Sequence, residues 1–415
     1  MTLSTTSLKQ QVSNKELKIK SGPKEWLLIG GFYATIFGLF CYLINQMIVC
    51  QRVTTIQLHI SYSVELSQGI KRLPHLGFFY ALWFFKTITG MSYNMSGTIL
   101  LSIFATLNTG AIHYVSRKLV PGLSMFERLA LTLITVVAGA IYLPFFNEAI
   151  YFGQGSPNMY HNATVIAVKW LVLLAAFAFL NFVENDEKQN SWPYAAIISV
   201  MMLLSIFIKP TFAIVFVPAL GLHLLISHTK RFDLYWKSAL IIIPMIPLLI
   251  YQQSYFDHAL GHSEKARTNE IEFLTIWRLF TPNVGISILI TIAFPLSLLI
   301  FRFKHVMHNA YLTVAWMTTL IGMLQFSMIA EYTSDGKLIT SANWIGGYLM
   351  GLGLLFVFTI AEYAKWLKSE GASKKREKVK IRIASFLLCL HTFGGIYYIY
   401  ELITLGRTIV RWQDR

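Results

Sequence analysis

The sequence predicts an all-α protein, a polytopic transmembrane helical bundle. Two features of its composition indicate this class: 55% of the 415 residues are hydrophobic, and only 13% are charged. This balance is typical of membrane proteins, because soluble domains carry about twice that share of charge. Long apolar runs also recur along the chain, and short polar stretches separate them.

The net charge of +15 is compatible with a nucleic-acid partner or with basic cytoplasmic loops. We favour the loops, because Lys and Arg collect on the cytoplasmic side of membrane proteins, and we expect no nucleic-acid partner. The three cysteines show no metal or redox spacing. No P-loop, dinucleotide fingerprint or His/Cys metal cluster is apparent, so the motifs predict no metal site.

The first segment, 1–24, is polar and contains five lysines, which places it in the cytoplasm by the positive-inside rule. No cleavable signal peptide is evident, because the first apolar run is long enough to span a bilayer. A single membrane domain, 25–405, comes next, and a short tail, 406–415, is placed outside. Eleven spans are predicted in this domain: 26–49, 98–115, 129–146, 163–182, two within 193–228, 239–251, 286–301, 310–329, 344–364 and 383–405.

The stretch 193–228 decides this layout. Lys209-Pro210 lies in the middle of more than thirty mostly apolar residues, whereas about 20 residues are enough to cross a bilayer. Proline removes a backbone donor and disfavours helix at the preceding residue, so we predict a hairpin of two short spans. One kinked span would instead put the basic loop 365–382 outside, against the positive-inside rule. The hairpin tip is therefore predicted to face outward.

Four polar loops are placed on the outer face by this layout: 51–74, 147–162, 252–283 and 331–341. The inner loops are short and basic, above all 365–382, and are expected to contact anionic lipids. The segment 75–89 is apolar but short and contains Lys86. We expect it to form a helix in the outer interface, with a full crossing as the alternative.

Two lysines are candidates for binding a phosphate at the outer interface. Lys209 lies at the hairpin tip, and Lys169 lies about two turns into the span after the loop 147–162. A cation inside a span is costly and indicates function, unless its ammonium group snorkels to the interface. Lysine is a good point-charge partner for phosphate. The alternative for Lys209 is a loop lysine that only limits how deeply the hairpin sinks.

The outer loops supply the other candidates. The candidate carboxylates are Glu65, Glu148, Glu331 and Asp335, and of these Glu148 and Glu331 lie at span ends. The loop 147–162 contains turn-forming residues, and its glycines allow the backbone to approach a ligand closely. The alternative for each of these residues is an ordinary solvated charge or a structural side chain. The candidates for substrate binding are His59, Asn158, His161, Asn162, Glu331, Asn343 and Trp344.

The order of these features resembles the GT-C superfamily of integral-membrane glycosyltransferases, which take sugars from polyprenyl-phosphate donors. The matching features are a long first outer loop, an interfacial helix, a second outer loop with a polar motif and a hairpin with a Lys-Pro tip. The stretch 204–220 resembles that tip, while 153–164 and 330–344 resemble uncharacterised bacterial members. The resemblance covers roughly residues 25–365. The superfamily typically has an acid early in the first outer loop, where this chain has Thr54, Thr55 and Gln57.

The resemblance implies an enzyme of the bacterial plasma membrane that moves a sugar from a polyprenyl-phosphate donor to a cell-envelope glycan or lipid acceptor. Such a transfer needs a carboxylate, as general base or metal ligand, and Glu148 or Glu65 is expected to serve. Lys209 and Lys169 would hold the donor phosphate, and His161 and Asn158 would shape the sugar site. The cofactor is left open; if one is used, a divalent cation, Mg²⁺ or Mn²⁺, is expected. The expected partners are membrane lipid, the lipid-linked donor and the glycan acceptor.

Two other functions stay open on the sequence. A polysaccharide polymerase or ligase of the lipid-linked class would bind a diphosphate with basic outer residues. Those residues are Arg52, Arg72, Arg267 and Arg278. A transporter or lipid flippase would show internal repeats and charges near the bilayer midplane. This sequence shows no convincing repeat, and its polar groups are predicted to cluster at one face.

Overall fold

Long apolar helices build the molecule. The computed structural model describes residues 23–49, 55–143, 145, 154–184, 192–257, 267–340, 342–369 and 374–404. These residues form 16 helices and one two-stranded sheet. The predicted class, a polytopic α-helical membrane protein, is confirmed.

The elements are numbered in chain order. The first ten helices are α1 Pro23–Val49, α2 Thr55–Ser67, α3 Gly77–Thr89, α4 Tyr93–Leu119, α5 Met125–Val137, α6 Ala163–Glu184, α7 Trp192–Ile208, α8 Thr211–Ser227, α9 Phe232–Ile242 and α10 Met245–Asp257. The remaining elements are β1 Arg267–Ile271, α11 Thr275–Arg278, α12 Val284–Phe301, α13 Phe303–Met307, α14 Ala310–Met328, β2 Ile329–Thr333, α15 Ile345–Lys368 and α16 Lys375–Thr404.

Six of the described helices are long and apolar enough to cross a membrane: α1, α4, α6, α12, α15 and α16. A seventh crossing is formed if α9 and α10, which meet at a 46° bend, count as one span. The eleven spans of the sequence layout are therefore not confirmed. Several predicted spans correspond to shorter helices, since α5 has 13 residues and α7 and α8 have 17 each. The segment predicted to lie in the interface contains α3, which also has only 13 residues.

Helices α6 and α15 form the centre of the bundle. In the apolar stretches of α6 and α15, 89% and 94% of the residues are buried. The corresponding share in α1, at the periphery, is 22%. Small residues allow α14 and α15 to pack with their backbones in contact. A Cβ atom at Gly322 would lie 2.5 Å from the Tyr348 nitrogen, and one at Gly351 would lie 2.7 Å from the Thr319 Cα atom. The centre therefore depends on close packing of small residues, as is usual for membrane helices.

The two-stranded sheet was not predicted. Strands β1 and β2 pair antiparallel, with Asn269 opposite Glu331. Strand β1 lies in the predicted loop 252–283, and β2 begins at the end of the predicted span 310–329 and continues into the predicted loop 331–341. Pairing satisfies the backbone groups of both segments outside the helices. It also fixes Glu331 beside the residues of β1.

Polar side chains collect at the two ends of the bundle. The end where α6 and α8 begin contains the hairpin tip, the sheet and helix α2. The opposite end contains the basic ends of α12 and α15, where Arg302 and Lys365 pair with the buried Glu362. A cavity at the first of these ends is the candidate functional site.

Candidate functional site

A cavity of about 360 Å³ opens at the end of the bundle where α6 and α8 begin. Its wall is formed by α2, the segment 73–75, the hairpin tip, α10, both strands and the segment 343–344. These parts lie far apart in the sequence. Most of them belong to the hairpin tip, to loops that were predicted to face outward, or to the ends of predicted spans beside those loops. Six residues singled out from the sequence line it: His59, Asn162, Lys209, Glu331, Asn343 and Trp344.

The hairpin tip is held in place by glycines on both sides. A Cβ atom at Gly77, the first residue of α3, would lie 2.7 Å from a side-chain carbon of Ile208 and 3.0 Å from its nitrogen. On the other side, a Cβ atom at Gly346 would lie 2.9 Å from the Thr211 hydroxyl and 3.2 Å from the Lys209 Cε atom. No larger residue fits at either glycine without moving its neighbours. This packing positions Lys209 at the cavity wall.

Lys209 makes this part of the wall electropositive. Its ammonium group donates to the Thr164 hydroxyl at 3.4 Å. Helix α8 begins at Thr211, beside the lysine, and α6 begins after Asn162, whose side-chain oxygen accepts from the Val165 nitrogen at 3.1 Å. The first N–H groups of a helix carry partial positive charge and bind anions. One lysine and two helix N-termini at one cavity wall are a suitable set of groups for a phosphate.

Glu331 is the single carboxylate among the described residues that line the cavity. The Asn343 amide donates to it at 2.6 Å, and the Arg267 guanidinium lies 3.7 Å away. Burial raises the pKa of this carboxyl, although the hydrogen bond from Asn343 and the charge of Arg267 act in the opposite direction. A Mg²⁺ or Mn²⁺ ion here would take most of its oxygen ligands from substrate and water.

Two histidines at the cavity are neutral at physiological pH. Burial lowers the pKa of His59 to about 4 and that of His75 to about 3, and the charge of Lys209 adds to both shifts. His59 donates its Nδ1 proton to the Thr55 carbonyl at 2.5 Å, which leaves Nε2 as a hydrogen-bond acceptor. Among the described residues that line the cavity, the charged side chains are therefore those of Lys209, Arg267 and Glu331.

Several buried polar atoms of the lining have no partner within the described protein. They are the Nδ1 atom of His75, the hydroxyl of Thr211 and the side-chain oxygen of Gln252. Buried polar groups nearly always find a hydrogen-bond partner, so these atoms are available to bond to a polar ligand or to water in the cavity. Apolar side chains lie beside them, among them Leu58, Phe79 and Leu249. The cavity therefore suits a molecule with both a polar and an apolar part.

Four predicted site residues lie elsewhere. Lys169 is buried in α6, where its ammonium group donates to the Pro157 carbonyl at 2.6 Å and to the Asn158 side-chain oxygen at 3.1 Å. The Asn158 amide in turn donates to the Thr135 and Ala138 carbonyls at 2.7 and 2.8 Å, at the end of α5. These bonds satisfy carbonyls that the end of a helix leaves without partners. Lys169 and Asn158 thus fasten the segment 154–162 to α5 and α6, away from the cavity.

His161 and Glu65 are also absent from the cavity lining. The buried His161 ring contacts the Tyr398 hydroxyl through Nδ1 at 2.7 Å, and the His161 carbonyl accepts from both the nitrogen and the hydroxyl of Thr55. Glu65 is partly buried near the end of α2, where its carbonyl accepts from the Ile70 nitrogen at 2.9 Å. Glu148 lies outside the described residues.

Sequence reasoning missed part of the lining. His75 and Gln252 were not singled out, and Arg267 was considered only for a polymerase or ligase. Of the other arginines considered for that function, Arg72 and Arg278 do not line the cavity, and Arg52 lies outside the described residues. His75, Gln252 and Arg267 meet in one wall only because distant loops pack together, and no local sequence pattern predicts that packing.

No protein-family model matches the chain, and no curated protein matches it. A solved structure with a similar fold is that of ArnT from Cupriavidus metallidurans in the apo state. The two chains are 9% identical, with a TM-score of 0.48, and the match covers 94% of this chain and 78% of that one. A likeness at this TM-score carries no functional conclusion, so the function proposed for this chain rests on the cavity itself.

Proposed function

We propose that the protein is a membrane glycosyltransferase that takes a sugar from a polyprenyl-phosphate donor at the outer face of a bacterial plasma membrane. The observation that carries the proposal is the cavity that combines Lys209, two helix N-termini and Glu331 with an apolar wall. A lipid-linked sugar has the matching parts: a phosphate, a polar ring and a long apolar tail. The acceptor is a hydroxyl of a cell-envelope glycan or lipid.

In the proposed complex the donor phosphate lies against Lys209 and the N-termini of α6 and α8. Lysine and helix N-termini bind the phosphate best when it carries the most negative charge. That charge grows as the bond between sugar and phosphate breaks, so the same groups stabilise the leaving lipid phosphate in the transition state. Arg267, beside Glu331, is a second cation at the same cavity.

Glu331 is the proposed general base, in place of Glu148 or Glu65. The acceptor hydroxyl oxygen attacks the anomeric carbon of the donor sugar, and its proton passes to the Glu331 carboxylate. The bond from the anomeric carbon to the phosphate oxygen breaks, and the lipid phosphate leaves with the electron pair. Support comes from Glu331 lining the same cavity as Lys209 and from the raised pKa of its carboxyl, because a base works best when its pKa approaches the working pH.

Binding of the lipid phosphate is the first test. The purified protein in detergent is titrated with polyprenyl phosphate and, separately, with the polyprenol of the same length, which lacks the phosphate. We expect tighter binding of the phosphate, weakened by about tenfold to a hundredfold in Lys209→Ala because a charged hydrogen bond is lost.

Lys337→Ala is the matched control, since the side chain of Lys337 is 81% exposed and lies outside the cavity lining. This variant is expected to bind polyprenyl phosphate like the wild type. Equal affinity of the wild type for polyprenol and polyprenyl phosphate would contradict the proposal.

A further inference from the structure

A cluster of two histidines and a glutamate lies at the end of the bundle opposite the cavity. Helix α6 ends at Glu184, while His223 lies in the last turn of α8 and His228 directly follows that helix. The Nε2 atoms of both histidines approach the same carboxylate oxygen of Glu184, at 3.2 Å from His223 and 3.1 Å from His228. One ligand atom from each residue lies within 4.8 Å of the others.

These distances match those between the ligands of a small tetrahedral metal ion. Zinc binds imidazole nitrogen and carboxylate oxygen at about 2.0–2.2 Å, so tetrahedral geometry separates neighbouring ligand atoms by roughly 3.3 Å. The two separations in the structure, 3.2 and 3.1 Å, need little adjustment to reach this value. Two imidazoles and one carboxylate are also a ligand set that zinc accepts, with water at the fourth position.

The burial of the three residues suits such a site. His223 is buried, whereas the side chains of His228 and Glu184 are 20% and 34% exposed. One ligand is thus fixed within the bundle, and the exposed side leaves room for an ion to enter and for a water ligand. The Ser227 hydroxyl lies 3.5 Å from the His223 Nδ1 atom, where it helps to orient the ring. Such outer partners of metal-ligating histidines usually strengthen a site.

We propose that Glu184, His223 and His228 bind a zinc ion. The ion joins the end of α6 to the end of α8 and thereby fastens the hairpin to the centre of the bundle. It lies at the opposite end from the cavity, so the proposed glycosyl transfer does not depend on it for chemistry. No sequence motif indicated this site, because Glu184 is 39 and 44 residues away from the two histidines.

The test is the metal content of the full-length protein. The chain is purified without an affinity tag that contains histidine, exposed to micromolar zinc, dialysed and analysed by mass spectrometry for metals. We expect about one zinc per chain. His228→Ala, which changes a partly exposed residue, and Glu184→Ala are both expected to lose it. His308→Ala is the matched control, because His308 is exposed and lies outside the cluster.

Two further readouts separate a metal site from a hydrogen-bonded pair. Cobalt substituted for zinc is expected to give the intense visible absorption of a tetrahedral site in the wild type and not in His228→Ala. Zinc is expected to raise the melting temperature of the wild type and of His308→Ala only, since a ligand that binds the folded state stabilises it. Wild-type protein that retains no zinc, or the same zinc content in Glu184→Ala and His228→Ala, would overturn the proposal.

Discussion

Glu331, the proposed catalytic base, is the one carboxylate among the described residues that line the cavity. The Asn343 amide and the Arg267 guanidinium both contact its carboxylate, at 2.6 and 3.7 Å, and these contacts restrict the orientation of the carboxylate. The sequence identified Glu331 as a candidate because it lies at the end of a predicted span. Its position in the cavity that Lys209 also lines was not evident from the sequence, because that position depends on the pairing of β2 with β1.

Replacement of this carboxylate tests its proposed role. Glu331→Gln keeps the size of the side chain but removes the base, so we expect sugar transfer to slow by about a hundredfold or more, while donor binding is retained. The measurement is the transfer rate from a polyprenyl-phosphate sugar, alongside donor affinity. Glu65→Gln is the control and is expected to transfer at the wild-type rate, since Glu65 does not line the cavity. A Glu331→Gln variant with normal turnover would remove Glu331 from the mechanism.

The pH dependence of the proposed reaction depends on two shifted groups. Burial raises the pKa of the Glu331 carboxyl above its ordinary value of 4.5, and the base acts only when deprotonated, so the rate falls as pH falls through this raised pKa. Burial lowers the pKa of Lys209 to about 8, and it binds phosphate only when protonated, so donor affinity falls as pH rises through about 8. Lys209→Arg, which stays charged, is expected to lose this alkaline limb. Donor affinity that is constant from pH 7 to pH 9 in the wild type would contradict the assignment of Lys209.

At the scale of elements, the hairpin of α7 and α8 is the part that sequence reasoning located best. Lys209-Pro210 lies between the two helices, as the proline and the length of the apolar run indicated. The sequence did not reveal what holds the tip in place. The glycines that contact it, Gly77 and Gly346, begin or nearly begin helices distant along the chain.

A single methyl group should disturb this arrangement. Gly77→Ala places a Cβ atom 3.0 Å from the backbone of Ile208, so the tip must shift, and we expect a loss of about 1–3 kcal/mol in stability together with weaker donor binding. Gly221→Ala is the control within the same hairpin, because a Cβ atom there meets nothing within 4 Å. Melting temperature and donor affinity of both variants are measured in detergent. Unchanged values in Gly77→Ala would mean that the tip is not held by this contact.

In the segment 154–162, most of the residues that the sequence pattern indicated as ligand-binding make structural contacts instead. The turn residues of this segment, together with Asn158 and His161, indicated a ligand site. In the structure Asn158 donates to the carbonyls at the end of α5 and accepts from Lys169, and His161 contacts Tyr398, whereas Asn162 does line the cavity. Backbone groups at the end of a buried helix need partners, and in a membrane protein water cannot supply all of them. A polar loop residue that caps another helix looks the same in sequence as one that binds a ligand.

For the whole molecule, the distribution of charge predicts its orientation. The end opposite the cavity contains the basic segments 365–369 and 374–382, and the positive-inside rule predicts that this end faces the cytoplasm. The number of spans was harder to predict than the class of fold, because hydropathy does not show whether an apolar helix ends before it has crossed the membrane. Helices of 13 to 17 residues are apolar enough to be read as spans, and only tertiary packing shows their true length.

The orientation can be tested with single cysteines. In a chain whose three native cysteines are replaced by serine, Lys337→Cys marks the end with the cavity and Lys374→Cys marks the basic end. Both positions are exposed. A reagent that does not cross membranes is expected to label Lys337→Cys in intact cells and Lys374→Cys only after the membrane is opened. The reverse pattern would place the cavity in the cytoplasm.

The most direct test of the central claim is to identify the lipids that the protein retains. Wild type, Lys209→Ala and Lys337→Ala are purified from membranes in mild detergent, and the bound lipids are identified by mass spectrometry. A polyprenyl-phosphate sugar is expected with the wild type and with Lys337→Ala, and its loss is expected in Lys209→Ala; its mass would also name the donor sugar. If all three proteins retain the same ordinary phospholipids and no polyprenyl phosphate, the cavity is not a site for a lipid-linked sugar.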